Sequence, residues 1–263
     1  MLNNQPKIRQ LKVNGKILKL ITIKSKQTKI GKKKKDDIFL FTQFYIPDNE
    51  ERYDEIKETL KYNVKNNLIS KIILINERDY TEEEIGISSD KIIQIIKGSR
   101  MAFVDILKNI KKMQLNGYII VSNSDIFFNN TLENIFVSQL SNKKKVFSLL
   151  RLEYNKDNIN EKSLYKDYKW SADTWIFHTK QSSNIKNVNE FDLTMGVGSV
   201  DNILPYKFYK NGFDVFNEPF FIQTLHNHHN DYRTWKKNKL FDNELFYLSC
   251  LPNLRNNYTF TKC

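Results

Sequence analysis

The chain has 263 residues, 27% of them charged and 40% hydrophobic, with a formal net charge of +12. That length suffices for one large α/β domain with an appendage, while two cysteines, Cys250 and Cys263, exclude a disulfide framework and a cysteine-ligated zinc site. No apolar leader opens the chain and no run approaches the ~20 apolar residues of a membrane span, so a soluble, cytoplasmic protein with reduced thiols is expected.

The charge is unevenly placed. Residues 1–35 carry 12 Lys or Arg and no Asp or Glu, so the remainder holds 30 basic residues against all 30 acidic ones. Within this arm, residues 10–13 and 16–20 flank Asn14-Gly15, the strongest short hairpin signal. The expectation is a small basic β-hairpin followed by a linker through Lys32-Lys33-Lys34-Lys35. Such an arm is either a solvated tether or a contact to an anionic surface.

From Asp36 the chain alternates strand and helix. Residues 38–41 form a continuous apolar run, as a central parallel strand does. Asp48 and Glu51 are spaced as a capping box for a helix with Tyr53, Ile56, Leu60 and Val64 at helical spacing. Residues 71–75 and 91–96 read as further strands, and Ser99 as the cap of a helix burying Phe103, Val104, Leu107 and Ile110. A fourth strand from Gly117 ends abruptly in Ser122-Asn-Ser-Asp125. Residues 146–152 read as one strand, and residues 214–216 and 220–222 as two short ones. Asp201-Asn202 opens a short helix after the turn at Gly196 and Gly198. This rhythm predicts an α/β fold, a mostly parallel central sheet with helices on both faces.

Four features carry chemistry. Asp125 ends a buried strand, where an open α/β sheet binds ligands; the alternative is that it caps a turn. His226, His228 and His229 are three of the four histidines in the chain, clustered after a short strand, which suits metal or phosphate contact. With carboxylate and imidazole ligands the candidate ions are Mn2+ or Mg2+ beside a phosphate substrate, or Zn2+. Asp201 at a helix start is either an N-cap or a proton acceptor. Asp173 lies between Trp170 and Trp175, either as a buried structural acid or beside aromatic faces that hold a sugar.

The order of elements resembles the GT-A (Rossmann-like) glycosyltransferases, over residues 36–235. In that family a strand ends in an acidic DxD-type motif that holds a divalent metal against the donor diphosphate. A later acid at a helix start acts as base in inverting members, and a late histidine contacts metal or phosphate. Ser122-Asn-Ser-Asp125 occupies the DxD place with its first acid replaced by Asn123, and Asp201-Asn202 occupies the place of the base. The resemblance implies one catalytic domain over residues 36–263, with a nucleotide-sugar half at 36–130 and an acceptor half at 131–263. It implies metal ligands Asp125, His226 and His228, and Asp201 or Asp173 as catalytic base. It also implies donor contacts from Thr42, Gln43, Asn76, Glu77, Arg100, Asn123 and Ser124, and acceptor contacts from Trp170, Trp175 and Asn202.

The activity so implied is metal-assisted sugar transfer from a nucleotide-diphosphate sugar, in the first instance a UDP-sugar, to a hydroxyl on a glycan, protein or small molecule. Two other functions use the same residues: a metal-dependent phosphoesterase or nuclease, and an inactive module that binds nucleotide sugar. Single, well-separated acids count against the phosphoesterase.

Overall fold

The computed structural model describes residues 7–13, 16–22, 35–166, 171–230, 252–253 and 262–263. Asn14-Gly15, the linker lysines 32–34, Trp170 and Cys250 lie outside the described residues. The chain divides into two units, Met1–Lys35 and Asp36–Cys263. In the first, β1 (Lys7–Val13) and β2 (Lys16–Thr22) pair antiparallel with Val13 opposite Lys16, the register of a two-residue connection.

The second unit is built on a seven-stranded sheet. Its strands are β3 (Asp37–Thr42), β4 (Lys71–Asn76), β5 (Ile92–Ile96), β6 (Gly117–Ser122), β8 (Lys145–Leu149), β11 (Thr174–His178) and β12 (Asp214–Phe216), in the order β12-β8-β11-β6-β3-β4-β5. Pairs β3–β4, β4–β5, β3–β6 and β12–β8 are parallel, while β11 runs antiparallel to both its neighbours. A second sheet of β7 (Ile126–Phe128), β9 (Leu152–Tyr154), β10 (Lys162–Leu164) and β13 (Thr224–His226) has the order β10-β9-β13-β7.

The apolar runs make sense because both sheet faces are covered. Besides the short helices α2 (Glu82–Ile85) and α4 (Thr179–Ser182), three longer ones cover the sheet: Phe39, Phe41, Ile73, Ile75, Ile119 and Val121 pack into one core with α3 (Phe103–Lys112) and α5 (Val200–Lys210). Their alternates Ile38, Leu40, Ile72, Leu74 and Ile120 pack into the other with α1 (Glu50–Lys65). Truncating one of these fully buried residues to Ala costs about 2–5 kcal/mol. The chain runs from β3 outward to β5 and then crosses back to β6 on the other side of β3. Such a switch in strand order opens a crevice at the carboxyl ends of β3 and β6.

Several local expectations need correction. Residues 146–152 are two strands in two sheets, because the backbone of Leu150 bonds to side chains instead of a ladder. Its N–H donates to Asn217 Oδ1 at 3.0 Å and its carbonyl accepts from Thr224 Oγ1 at 3.1 Å. Residues 220–222 form a turn, with the N–H groups of Phe221 and Ile222 donating back to Glu218 O. The cap of α1 is Asn49, whose side chain accepts from Arg52 N at 2.7 Å, and not Asp48. Ser99 does not cap α3, which starts after Ala102 with Asp105 Oδ2 accepting the Ala102 N–H. Among the described residues no helix is long and apolar enough to cross a membrane.

Candidate active site

A cavity of about 1030 Å3 opens at the carboxyl ends of β3, β4 and β6. Gln43, Glu77, Arg100, Asn123, Ser124, Asp125, Asp173, Asp201, His226 and His228 all line it, although they come from segments scattered over the whole domain.

Register brings the first group together. Strand β13 pairs antiparallel with β7, placing His226 opposite Ile126, the neighbour of Asp125. It also pairs parallel with β9, placing His226 beside Glu153. The His226 Nε2 lies 3.3 Å from Asp125 Oδ2, its Nδ1 lies 2.9 Å from Glu153 Oε2, and His228 Nδ1 lies 3.7 Å from Asp125 Oδ2. One ligand atom from each of Asp125, His226 and His228 falls within 4.8 Å of the others. Among the described residues, Asp125 Oδ1 is buried without a hydrogen-bond partner. One carboxylate with a spare oxygen and two imidazoles is a donor set that fits Mn2+ or Zn2+.

Asp125, His226 and Glu153 hold each other charged. Burial alone pushes Asp125 up, yet His226, His228 and Arg52 hold it well below the usual carboxylate range. Burial lowers His226, but Asp125 and Glu153 outweigh it and raise it to about 9. Glu153 is lifted by burial and pulled down to about 2 by His226 and Arg151.

The second group forms around β11. Because this strand is antiparallel to β6, it begins where β6 ends, with Thr174 opposite Ser122. The preceding Asp173 therefore meets the Asp125 turn: Asn123 N donates to Asp173 O and Asn123 Nδ2 to Asp173 Oδ1, both at 3.1 Å. Arg151 Nη1 donates to both Asp173 oxygens at 3.1 and 3.2 Å, its Nε to Glu153 Oε1 at 2.7 Å, and its guanidinium stacks 3.7 Å over the Tyr165 ring. Asp201 lies in the first turn of α5, behind Ser199, which holds the left-handed φ of 76°. Burial and then the neighbouring Asp173 raise Asp201 well above the ordinary carboxylate range, against a hydrogen bond from the Ala172 backbone and the charge of Arg151.

On the donor side, Gln43 Nε2 donates to Glu77 Oε1 at 2.6 Å and its Oε1 accepts Met101 N at 3.1 Å, while Glu77 Oε2 is buried with no hydrogen-bond partner among the described residues. Arg100 lies over Gly196, where an added Cβ would come 2.6 Å from Arg100 Nη2. A side chain at that position would push the guanidinium away.

Four expected contacts do not face the cavity. Asn76 is fully buried, accepting Phe44 N and donating to Gln94 Oε1, so it ties two strand ends together. Thr42 is buried and lines a small internal void of about 10 Å3. Trp175 is 1% exposed in the core, because the inward position on β11 falls on it. Asn202 is buried on α5. Trp170 lies outside the described residues.

Arg52, Arg151 and Glu153 also line the cavity, beyond the residues that the sequence points to. Arg52 belongs to a buried stripe of α1 made of Arg52, Glu55, Ile56, Thr59, Leu60 and Asn63. The helical spacing of those polar residues around Ile56 and Leu60 is a signal the sequence does carry. Arg151 falls inside the run 146–152 that reads as one strand, and Glu153 lies one residue beyond it.

This fold is GT-A-like: a Rossmann-like first half, a β11 inserted antiparallel, and a small second sheet that carries His226. No protein-family model and no curated protein matches the chain. Among solved structures it is similar to GalNAc-T7, determined with UDP, GalNAc and Mn2+, at 10% identity and a TM-score of 0.53, over 75% of this chain and 45% of that one. It is also similar to the mannosyltransferase PcManGT from Pyrobaculum calidifontis, determined with GDP-Man and Mn2+, at 10% identity and a TM-score of 0.50, over 75% of this chain and 58% of that one. The chain thus spans about half the length of these structures.

Proposed function

We propose that the protein is a glycosyltransferase that moves a sugar from a nucleotide-diphosphate donor to a hydroxyl acceptor with a divalent cation held by Asp125, His226 and His228. The observation that carries this reading is the convergence, in one cavity, of a metal-competent Asp-His-His set at the end of β6 with a carboxylate of raised basicity on α5. Residues 36–130 would bind the donor and residues 131–263 the acceptor. When bound, the cation supplies Lewis-acid stabilisation of the charge developing on the departing diphosphate.

The protein groups divide the remaining work. Glu77 Oε2, without a partner among the described residues and held in place through Gln43, accepts a hydroxyl or N–H of the nucleoside. Arg100 meets a phosphate oxygen. Asp201 takes the acceptor proton as the acceptor oxygen bonds to the anomeric carbon and the bond from that carbon to the diphosphate oxygen breaks, releasing a nucleoside diphosphate. Asp201 is preferred over Asp173 because Asp173 is already neutralised by Arg151 and hydrogen-bonded by Ser171 and Asn123. Asp173 instead fixes the acceptor side of the cleft and keeps Asp201 basic. A UDP-sugar and Mn2+ are the first donor and metal to try.

The test is incubation with UDP-, GDP- and CMP-sugars in Mn2+ or EDTA, following nucleotide release. Release that requires metal and disappears in Asp125→Ala is the expected result. Donor binding without release from any sugar would replace this reading with that of a non-catalytic binding module, and cleavage of a generic phosphodiester would replace it with a hydrolase.

A further inference from the structure

The cluster that would hold the metal already contains a cation. Arg52, in the first turn of α1 and 4% exposed, places Nη2 on Asp125 Oδ2, and its Nη1 donates to Glu55 Oε2 at 3.0 Å and to Asn227 O at 3.2 Å. The oxygen it takes is the same one that faces His226 Nε2 and His228 Nδ1. Helix α1 has no need of this pair for docking, since Ile56 and Leu60 pack into the core and Asn63 bonds both Ile126 O and Phe128 N. Glu55 and Asn227 hold the guanidinium from behind, and His229 N donates to the other Glu55 oxygen at 2.7 Å. The arginine is therefore built into the cluster as a fixed charge.

A divalent ion at this carboxylate meets that fixed positive charge at close range, where repulsion weakens binding by about tenfold or more. An anionic diphosphate in the cleft adds negative charge next to both cations and offsets the repulsion. We infer that Arg52 makes divalent-metal binding conditional on a diphosphate: it occupies Asp125 when the cleft is empty and admits the metal together with the donor. By linkage, the metal then strengthens diphosphate binding by the same factor that the diphosphate strengthens metal binding. This inference rests on the reading of Asp125, His226 and His228 as metal ligands, but not on sugar transfer itself.

The test uses the electron paramagnetic resonance signal of free Mn2+ to measure metal affinity of the full chain, with and without UDP, corrected for the Mn2+–UDP complex in solution. The wild type should bind Mn2+ at least tenfold more weakly without UDP than with it. Without UDP, Arg52→Met should bind at least tenfold more tightly than the wild type, and Arg52→Lys, which keeps the charge, should stay within about threefold of it. The double variant Arg52→Met/Glu55→Gln should keep the gain, which rules out the released Glu55 carboxylate as its source. The inference is overturned if wild-type affinity is the same with and without UDP, a result that needs no variant. It is equally overturned if wild type binds no Mn2+ in either condition, or if folded Arg52→Met binds no more tightly. Absence of sugar transfer with these affinities intact would instead overturn the proposed activity and leave the role of Arg52 standing.

Discussion

The two acidic corners of the cleft, Asp125 at the end of β6 and Asp201 at the start of α5, are both largely enclosed carboxylates that the protein treats in opposite ways. Around Asp125 the chain gathers Arg52, His226 and His228, and the acid is held ionised far below its ordinary range. Around Asp201 it places another carboxylate, Asp173, and the acid is pushed far above that range. An acid surrounded by cations is a ligand site, stable in its charged form and a poor proton acceptor. An acid left beside a like charge stores the free energy that makes it a good one. The residue type is the same, and the neighbours assign the role.

The contrast can be broken by substitution. The largest effect is expected for Asp125→Ala, which removes a metal ligand and leaves Arg52 buried with one partner fewer. Metal-dependent turnover should fall on the order of 10³-fold, and denaturant unfolding should show a loss of about 3–5 kcal/mol. For Asp201→Asn, turnover should fall about 10²- to 10⁴-fold while donor binding by calorimetry is unchanged. Stability should move the other way. A folded-state pKa raised above the unfolded value gives a contribution that is present below pH ~3.8 and lost as pH rises through the folded value. At neutral pH, well above 3.8, this environment is a cost whichever form Asp201 takes, and its replacement by Asn should raise Tm. A fall in Tm would show that Asp201 is a structural acid.

Asp173→Asn sharpens the contrast by removing the like charge. Turnover should fall with decreasing pH in the wild type as Asp201 is protonated, and this limb should lie above the ordinary carboxylate range. In Asp173→Asn the limb should move to lower pH; a limb that stays in place would mean Asp173 does not tune Asp201. The smallest effect is expected for Gly196→Ala, which puts a methyl group where Arg100 lies and strains a residue at φ 67°. That strain costs about 1 kcal/mol. The Michaelis constant for the donor should rise several-fold with kcat nearly kept, and an unchanged constant would remove Arg100 from the phosphate site.

Much of the fold was legible because burial on both sheet faces writes itself as continuous apolar runs, seen at residues 38–41, 72–75 and 118–121. The acids and histidines of the cavity were legible for a different reason: Asp125 interrupts such a run, and the histidines are rare and clustered. What escaped was polar and interior. Asn76 looks like a strand-end ligand contact but spends both its groups on Phe44 and Gln94. Trp175 looks like a sugar platform but falls on an inward position of β11. Arg151 and Glu153 sit at a strand break made by Asn217 and Thr224, residues more than 60 positions away.

The sequence by itself determined the alternation of strands and helices, because side-chain burial follows a local period that a short window reveals. It also determined which residues have the chemistry to hold a metal or accept a proton. Only the tertiary structure decided their roles. The antiparallel entry of β11 put Asp173 against Asn123, the register of β13 put His226 between Asp125 and Glu153, and the polar stripe of α1 put Arg52 on the metal-competent acid. Charge interactions depend on distance through space, and spacing along the chain does not encode that distance.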